Sequence, residues 1–182
     1  MRGALQVKAG VRRAVGMRPK PQTGWRRYVS ALVAFPILLA LSPLLIVVLV
    51  GVTLRKWVRG ARLKWRFRRV FGAQGKKAVL VYSDSPNWKD YIEAHMLPSI
   101  SDRVVTLNWS LRSEWKKRKS LEVEMFEHWG GAREYNPMAI VVPRRGRVRV
   151  VRFWQAFRDA KHGREASLRK AQEELFHELE AA

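Results

Sequence analysis

The sequence predicts an α/β protein: a long apolar helix near the N-terminus, followed by a small domain of order β-α-β-α-β-β-α. Three observations carry this expectation. Residues 28–54 form a run of 27 residues with no ionisable group except Tyr28, the mark of a single apolar helix. Two short runs rich in β-branched residues, 77–82 and 138–142, have the near-continuous apolarity of strands covered on both faces. Around them, apolar residues recur at spacings of three and four, the period of a helix with one buried stripe.

The apolar run, YVSALVAFPILLALSPLLIVVLVGVTL, reaches roughly 40 Å at about 1.5 Å per residue. About 20 such residues cross a hydrocarbon core, so 28–54 is expected to be a transmembrane or re-entrant helix. Pro36 and Pro43 each remove a backbone donor and predict a kink. A cleaved leader is not expected, because the apolar core is too long and a basic LRKW follows it.

Charge supports the same reading. The 182 residues carry 36 Lys plus Arg against 15 Asp plus Glu, a formal net charge of +21. Residues 1–27 hold eight of the bases and 55–77 hold ten, with no acid in either stretch. The chain beyond, 78–182, is close to neutral. The excess charge therefore borders the apolar run instead of coating a folded face, and nucleic acid is not an expected partner. The expected partner is a lipid bilayer with anionic headgroups, contacted by Arg26, Arg27, Arg55 and Lys56. Basic flanks stay on the cytoplasmic side. Eight bases between 55 and 69 outnumber six between 12 and 27, so the C-terminal domain is expected in the cytoplasm. A hairpin that dips into the bilayer and returns would satisfy both flanks. Residues 1–27 are expected to be a basic, disordered tail.

From 54 to 71 the chain reads LRKWVRGARLKWRFRRVF. Leu54, Trp57, Val58, Ala61 and Trp65 keep helical spacing, with Arg and Lys elsewhere. That pattern predicts a basic amphipathic helix over 55–75, its Trp57 and Trp65 rings lying among lipid headgroups.

Gly72 and Gly75 mark a break before the domain 76–182. Strand 77–82 opens it, and Ser83, Asp84, Ser85, Pro86 and Asn87 supply turn chemistry. A helix follows, with Trp88, Tyr91, Ile92, His95 and Met96 at helical spacing and Pro98 closing it. Residues 103–108 form the second strand. A charged loop, 114–119, leads to a helix whose face is Leu121, Met125, His128 and Trp129, ended by Gly130 and Gly131. Pro137 precedes the third strand, 138–142. A turn at 143–146 joins it to 147–152, whose arginines suit an exposed edge. After the stretch WQAFRDAKHG comes a last helix with Leu168, Ala171, Leu175 and Leu179 on its inner stripe.

Two resemblances bear on these elements. RRYVSALVAFPILLALSPLLIVVLV resembles the N-terminal membrane segment of bacterial sugar transferases of the monotopic phosphoglycosyl transferase type. In that family a Ser-Pro pair, here Ser42-Pro43, lies at the bend of a re-entrant helix. The family's catalytic Asp-Glu pair and basic motifs are not visible, so the likeness implies the anchoring mode alone. The order β-α-β-α-β-β-α over 76–180, with VLVYSDSPNW at the first strand and Asn136-Pro137 before the third, resembles the thioredoxin/glutaredoxin fold. That likeness implies a cis peptide bond at Pro137, facing the family's active site. The chain has no cysteine and carries Asn87-Trp88-Lys89-Asp90-Tyr91 where the family has its CxxC, so dithiol exchange is excluded. An open parallel sheet of the flavodoxin kind is the alternative fold.

Loops at strand ends are where ligands bind in open sheets. That logic gathers Ser83, Asp84, Ser85, Asn87 and Trp88 with Asn108, Trp109 and Ser110, and with Tyr135 and Pro137, as candidate ligand-binding residues. The chain has no phosphate loop, no GxGxxG and no HExxH, and its four histidines are scattered. No catalytic residue, metal-ligand set or cofactor is expected. The reading is a membrane-anchored, non-catalytic thioredoxin-like module that binds a protein or ligand at the cytoplasmic face. The alternative is a membrane-associated enzyme acting on a lipid-linked or saccharide substrate.

Overall fold

The computed structural model describes residues 24–115, 117, 119–131 and 136–182, and of 24–41 the backbone alone. Most of the basic tail, 1–23, and Tyr135 thus lie outside the described residues. The chain separates into two compact units, up to Gly51 and from Val52 onward.

Helix α1 runs Gly24–Val70. In the first unit it carries the apolar run, and its side chains from Leu44 to Val50 are exposed. Among the described residues no helix is long and apolar enough to cross a membrane. Most of the first half of the run, 28–41, falls where side chains are not described. α1 is stopped by a 3-10 turn, Gly72–Gln74, and by Gly75, which takes φ +78° and donates its N–H to the Gly72 carbonyl at 3.1 Å. A side chain at that φ would be strained.

The second unit is built on a four-stranded sheet of order β2-β1-β3-β4. β1 (Ala78–Tyr82) pairs in parallel with β2 (Val104–Asn108) and antiparallel with β3 (Met138–Val141), which pairs antiparallel with β4 (Arg149–Arg152). The sheet is therefore mixed, and the all-parallel alternative is set aside: the chain enters β3 from the edge where β1 and β2 end. The Asn136–Pro137 bond, just before β3 begins, is cis.

The central strands are apolar throughout because both faces are covered. Ala78, Leu80, Ala139 and Val141 face one layer, packed by α2 (Lys89–Tyr91), α3 (Leu97–Ile100), α6 (Trp154–Lys161) and α7 (Ala166–Ala181) through Ile100, Phe157, Leu175 and Leu179. Val79, Val81, Met138 and Ile140 face the other, covered by α5 (Leu121–Trp129), which follows the single turn α4 (Arg112–Trp115), and by Leu63 and Phe67 of α1. This is the two-residue period of a strand with two hydrophobic sides. Edge strand β4 turns Arg149 and Arg152 to solvent.

Three expectations change. First, 154–161 is helix α6, so two helices follow the hairpin, separated by Gly163 at φ +79°. Second, Pro98 does not close its helix. A π-helical turn, Ile92–Met96, comes just before, and the chain continues through Pro98 in the first turn of α3. Third, the stretch expected as an interfacial helix over 55–75 is the end of α1 and joins the domain core. Phe67 is 1% exposed, Arg66 makes a two-pronged ion pair with Glu124 of α5 at 2.9 and 3.1 Å, and Arg68 donates to the Pro143 and Arg144 carbonyls. Leu54, Trp57 and Trp65 lie away from that face and stay exposed, Trp57 at 71%.

At Gly60 of α1 a Cβ would come within 2.8 Å of His128 Nε2, the tip of an α5 side chain that can turn aside, so the packing of α1 is tested at Phe67, which is 1% exposed. Phe67→Ala should lower the thermal midpoint of the full chain by about 10 °C in a circular-dichroism melt, for a cost of about 3–5 kcal/mol typical of truncating a buried aromatic side chain. A Phe67→Ala chain as stable as wild type would mean that α1 does not cover the sheet as described.

Candidate ligand-binding site

The residues 83–88 leave β1 at the same edge as the end of β2, because Tyr82 pairs with Asn108 in the parallel register. The antiparallel register ends at Val81 opposite Met138, which brings Pro137 to this edge too. The structure thus gathers most of the candidate residues, and their polar groups bond to one another. The Asp84 N–H donates to Ser110 Oγ at 2.9 Å, and the Asn108 side-chain amide donates to Asp84 Oδ2 at 3.0 Å. Lys89 Nζ lies 2.9 Å from Asp84 Oδ1. Asn108 Oδ1 accepts the Ser110 N–H at 2.9 Å and caps the 3-10 turn Trp109–Leu111. Ser85 Oγ accepts from the Asn87 side-chain amide at 3.2 Å, and buried Ser83 accepts from the Trp88 indole N–H at 3.2 Å.

This arrangement fixes protonation. Hydrogen bonds from Lys89 and Asn108 hold the Asp84 carboxyl below the usual carboxylate range, and the hydrogen bond to Asp84, then its charge, holds the Lys89 ammonium above its usual value. Asp84 is a permanent anion at neutral pH, not a proton donor. Burial, then the hydrogen bond to Glu93, pushes the Tyr82 hydroxyl up, so it remains a neutral donor to Glu93 at 3.1 Å. Asn136 is buried, and among the described residues its Oδ1 has no partner.

The sheet divides the candidate aromatics. Trp88 packs with the core on the α6–α7 side, whereas Trp109 packs with the α5 side, where Arg112 stacks over its ring at 3.9 Å. One site cannot use both. Trp88 and Asn87 instead line a cavity of about 660 Å³ between their loop, α2 and the α6–α7 pair. Its walls are Trp88, Tyr91, Trp154 and Phe157. The Phe157 ring meets Tyr91 edge-on at 5.5 Å and Trp88 at 6.3 Å. Tyr91 donates to Gln172 of α7 at 3.0 Å, and Lys161 Nζ reaches Asn87 Oδ1 at 3.4 Å. Sequence reasoning missed the α6 half of this groove. Its signal was Trp154, Phe157, Arg158 and Lys161 at spacings of three, one and three, one face of a helix.

A second concavity, about 730 Å³, opens at Val52, Arg55, Lys56 and Arg59 of α1 and at Glu127 and His128 of α5. Glu127 is engaged by Lys119 at 2.7 Å and Arg59 at 3.6 Å. Burial, then the positive charges of Arg59 and Lys56, lowers the His128 pKa. Of the other expected interface residues, Trp57 and Trp65 are exposed, and Arg69 lies 5.3 Å over the Trp65 ring. Arg26 and Arg27 fall where the backbone alone is described. Among the described residues no cluster of acids and histidines could hold a metal ion.

The Asp84 network should stabilise the fold above the carboxyl's unfolded pKa of about 3.9 and lose that contribution as pH falls through its lower folded value. Wild type should therefore melt above Asp84→Asn at pH 7, with the two midpoints converging below about pH 4. A gap unchanged by acid would show that the carboxylate charge is not what the network uses. No family model, no curated protein and no solved structure matches this chain.

Proposed function

We propose that this chain is a membrane-anchored, non-catalytic binding module. Its α/β domain resembles the thioredoxin/glutaredoxin fold without the dithiol and works at the cytoplasmic face, where it takes a ligand or partner in the aromatic groove. The observation that carries the reading is the contrast at the sheet edge. The polar loop residues are satisfied by one another, while the groove beside them is concave, aromatic and open. Small-ligand sites have this composition. The sheet order β2-β1-β3-β4, with β3 and β4 antiparallel to their neighbours, supports the likeness.

Anchoring is supported by the exposed aliphatic side chains of α1. Val47 and Leu49 are each 67% exposed and sit in an unbroken series of apolar residues from Pro43 to Val52. Water is a poor solvent for such a surface, and lipid is a good one. α1 runs without interruption through 28–54, which suits a single crossing better than a hairpin. Arg55, Lys56 and Arg59 follow at once, where anionic headgroups would stabilise each by about 1 kcal/mol. For an enzyme acting on a lipid-linked or saccharide substrate, Asp84 would be the natural acid or base, and Lys89 and Asn108 already occupy it.

Alkaline carbonate extraction of cells expressing the full chain should leave it in the membrane pellet. The chain has no cysteine, so Ser101→Cys supplies a unique exposed thiol. An impermeant maleimide should label that variant after lysis and not in intact cells. Release by carbonate would overturn the anchor, and labelling of intact cells would overturn the cytoplasmic orientation.

A further inference from the structure

We propose that the groove between α2 and the α6–α7 pair is a binding site for a small, flat organic anion: a carboxylate, sulfonate or phosphate ester on an apolar body of one or two rings. The proposal rests on the groove being the binding site of the domain, and it adds the ligand's size, shape and charge.

Size comes from the volume. About 660 Å³ falls within the roughly 300–1,000 Å³ typical of small-molecule sites. Shape comes from the walls. Trp88, Tyr91 and Trp154 are each half-buried around buried Phe157, so part of the surface of each ring is left to the cavity they line. The polar handles of two of these rings are already committed, Trp88 N–H to Ser83 and Tyr91 O–H to Gln172. What these two rings present is apolar area and π faces, which favour a planar partner.

Charge comes from the rim. Arg158 and Lys161 on α6 and Arg169 on α7 face a single acid, Glu165. Asp159, the nearest acid in α6, belongs to another pair, bonded by Arg164 at 2.8 Å. Arg158 lies 5.0 Å over Trp154, so the cation sits against a wall of the groove and keeps a guanidinium edge for a bidentate contact. Lys161 reaches Asn87 only at 3.4 Å, a long contact that an anion can replace. Aromatic walls with a cationic rim match an anion carried on a ring. A neutral ring would leave the rim unused, and a cationic ring would meet like charge.

The test uses three probes with one ring system: 2-naphthoate, 2-naphthamide and 2-naphthylmethylammonium. Each is titrated calorimetrically against the full chain in nanodiscs of zwitterionic lipid, with empty discs as the blank. The expected result is saturable one-to-one binding of naphthoate, about tenfold tighter than naphthamide, with the ammonium weakest. Arg169→Gln with Lys161→Gln, both exposed and remote from the core, should bring the naphthoate-to-naphthamide ratio to about twofold and leave naphthamide unchanged. Trp154→Leu should weaken all three probes. Melting curves matching wild type establish that the variants fold. Absence of saturable binding, equal affinity for the three probes, or a ratio unmoved by the charge variants would overturn the proposal. A chain that elutes free of the discs overturns the anchor instead, and the same titration on that free chain still decides the groove.

Discussion

The constraint on which the domain depends is the two-sided burial of β1 and β3. Ala78, Val79, Leu80 and Val81 are all fully buried, as are Met138, Ala139, Ile140 and Val141. With no polar side chain on either face, the sheet can exist in water only if helices cover both. On one side this recruits α3, α6 and α7. On the other, α5 is only nine residues long and cannot do it alone. The end of α1 completes that layer through Leu63 and Phe67. Removing apolar surface from water stabilises by about 25 cal/mol per Å², so covering the second face contributes in proportion to the apolar area it takes from solvent.

This requirement gives α1 two employments. In the second unit its Leu63 and Phe67 side is taken by the domain. The stripe of Leu54, Val58, Ala61 and Trp65 lies on roughly the opposite side, since residues 54 and 63 are about 180° apart at 100° per residue. The cations are sorted in the same way. Arg66 serves Glu124 and Arg68 serves loop carbonyls, while Arg55, Lys56 and Arg59 border an open concavity. Part of the basic charge that reads in sequence as a uniform strip is structural.

How legible this was in the sequence depended on whether one face or two carried the signal. The strands β1, β2 and β3 were readable because their apolar runs are short, β-branched and bounded by turn residues. The sheet-edge grouping of Asp84 with Asn108 and Ser110 was readable because parallel pairing of consecutive strands fixes where both end. The Leu63–Phe67 face was not, because two tryptophans dominate the other side of the same helix, and a single-stripe search stops at the more conspicuous one. Helix α6 was overlooked because its eight residues carry polar side chains at half the positions, although Trp154, Phe157 and Lys161 share a face. The separation of Trp88 from Trp109 could not be read at all. Which side of a sheet a loop residue joins depends on backbone direction after the strand, and no periodicity encodes it.

The satisfied network and the open groove are one device. Asp84 is held by the Ser110 hydroxyl and the Asn108 amide, both at or just beyond the end of β2, and by Lys89 at the start of α2. These contacts pin the loop from 83 to 88 at both ends. Ser83, buried beneath the loop, then orients the Trp88 indole. A ring at the end of an unanchored loop would lose ordering entropy on binding, of the order of 1 kcal/mol for each immobilised side chain. Here folding has already met that cost. The carboxylate that looks in sequence like a reacting group is, in the structure, what holds one wall of the groove in position.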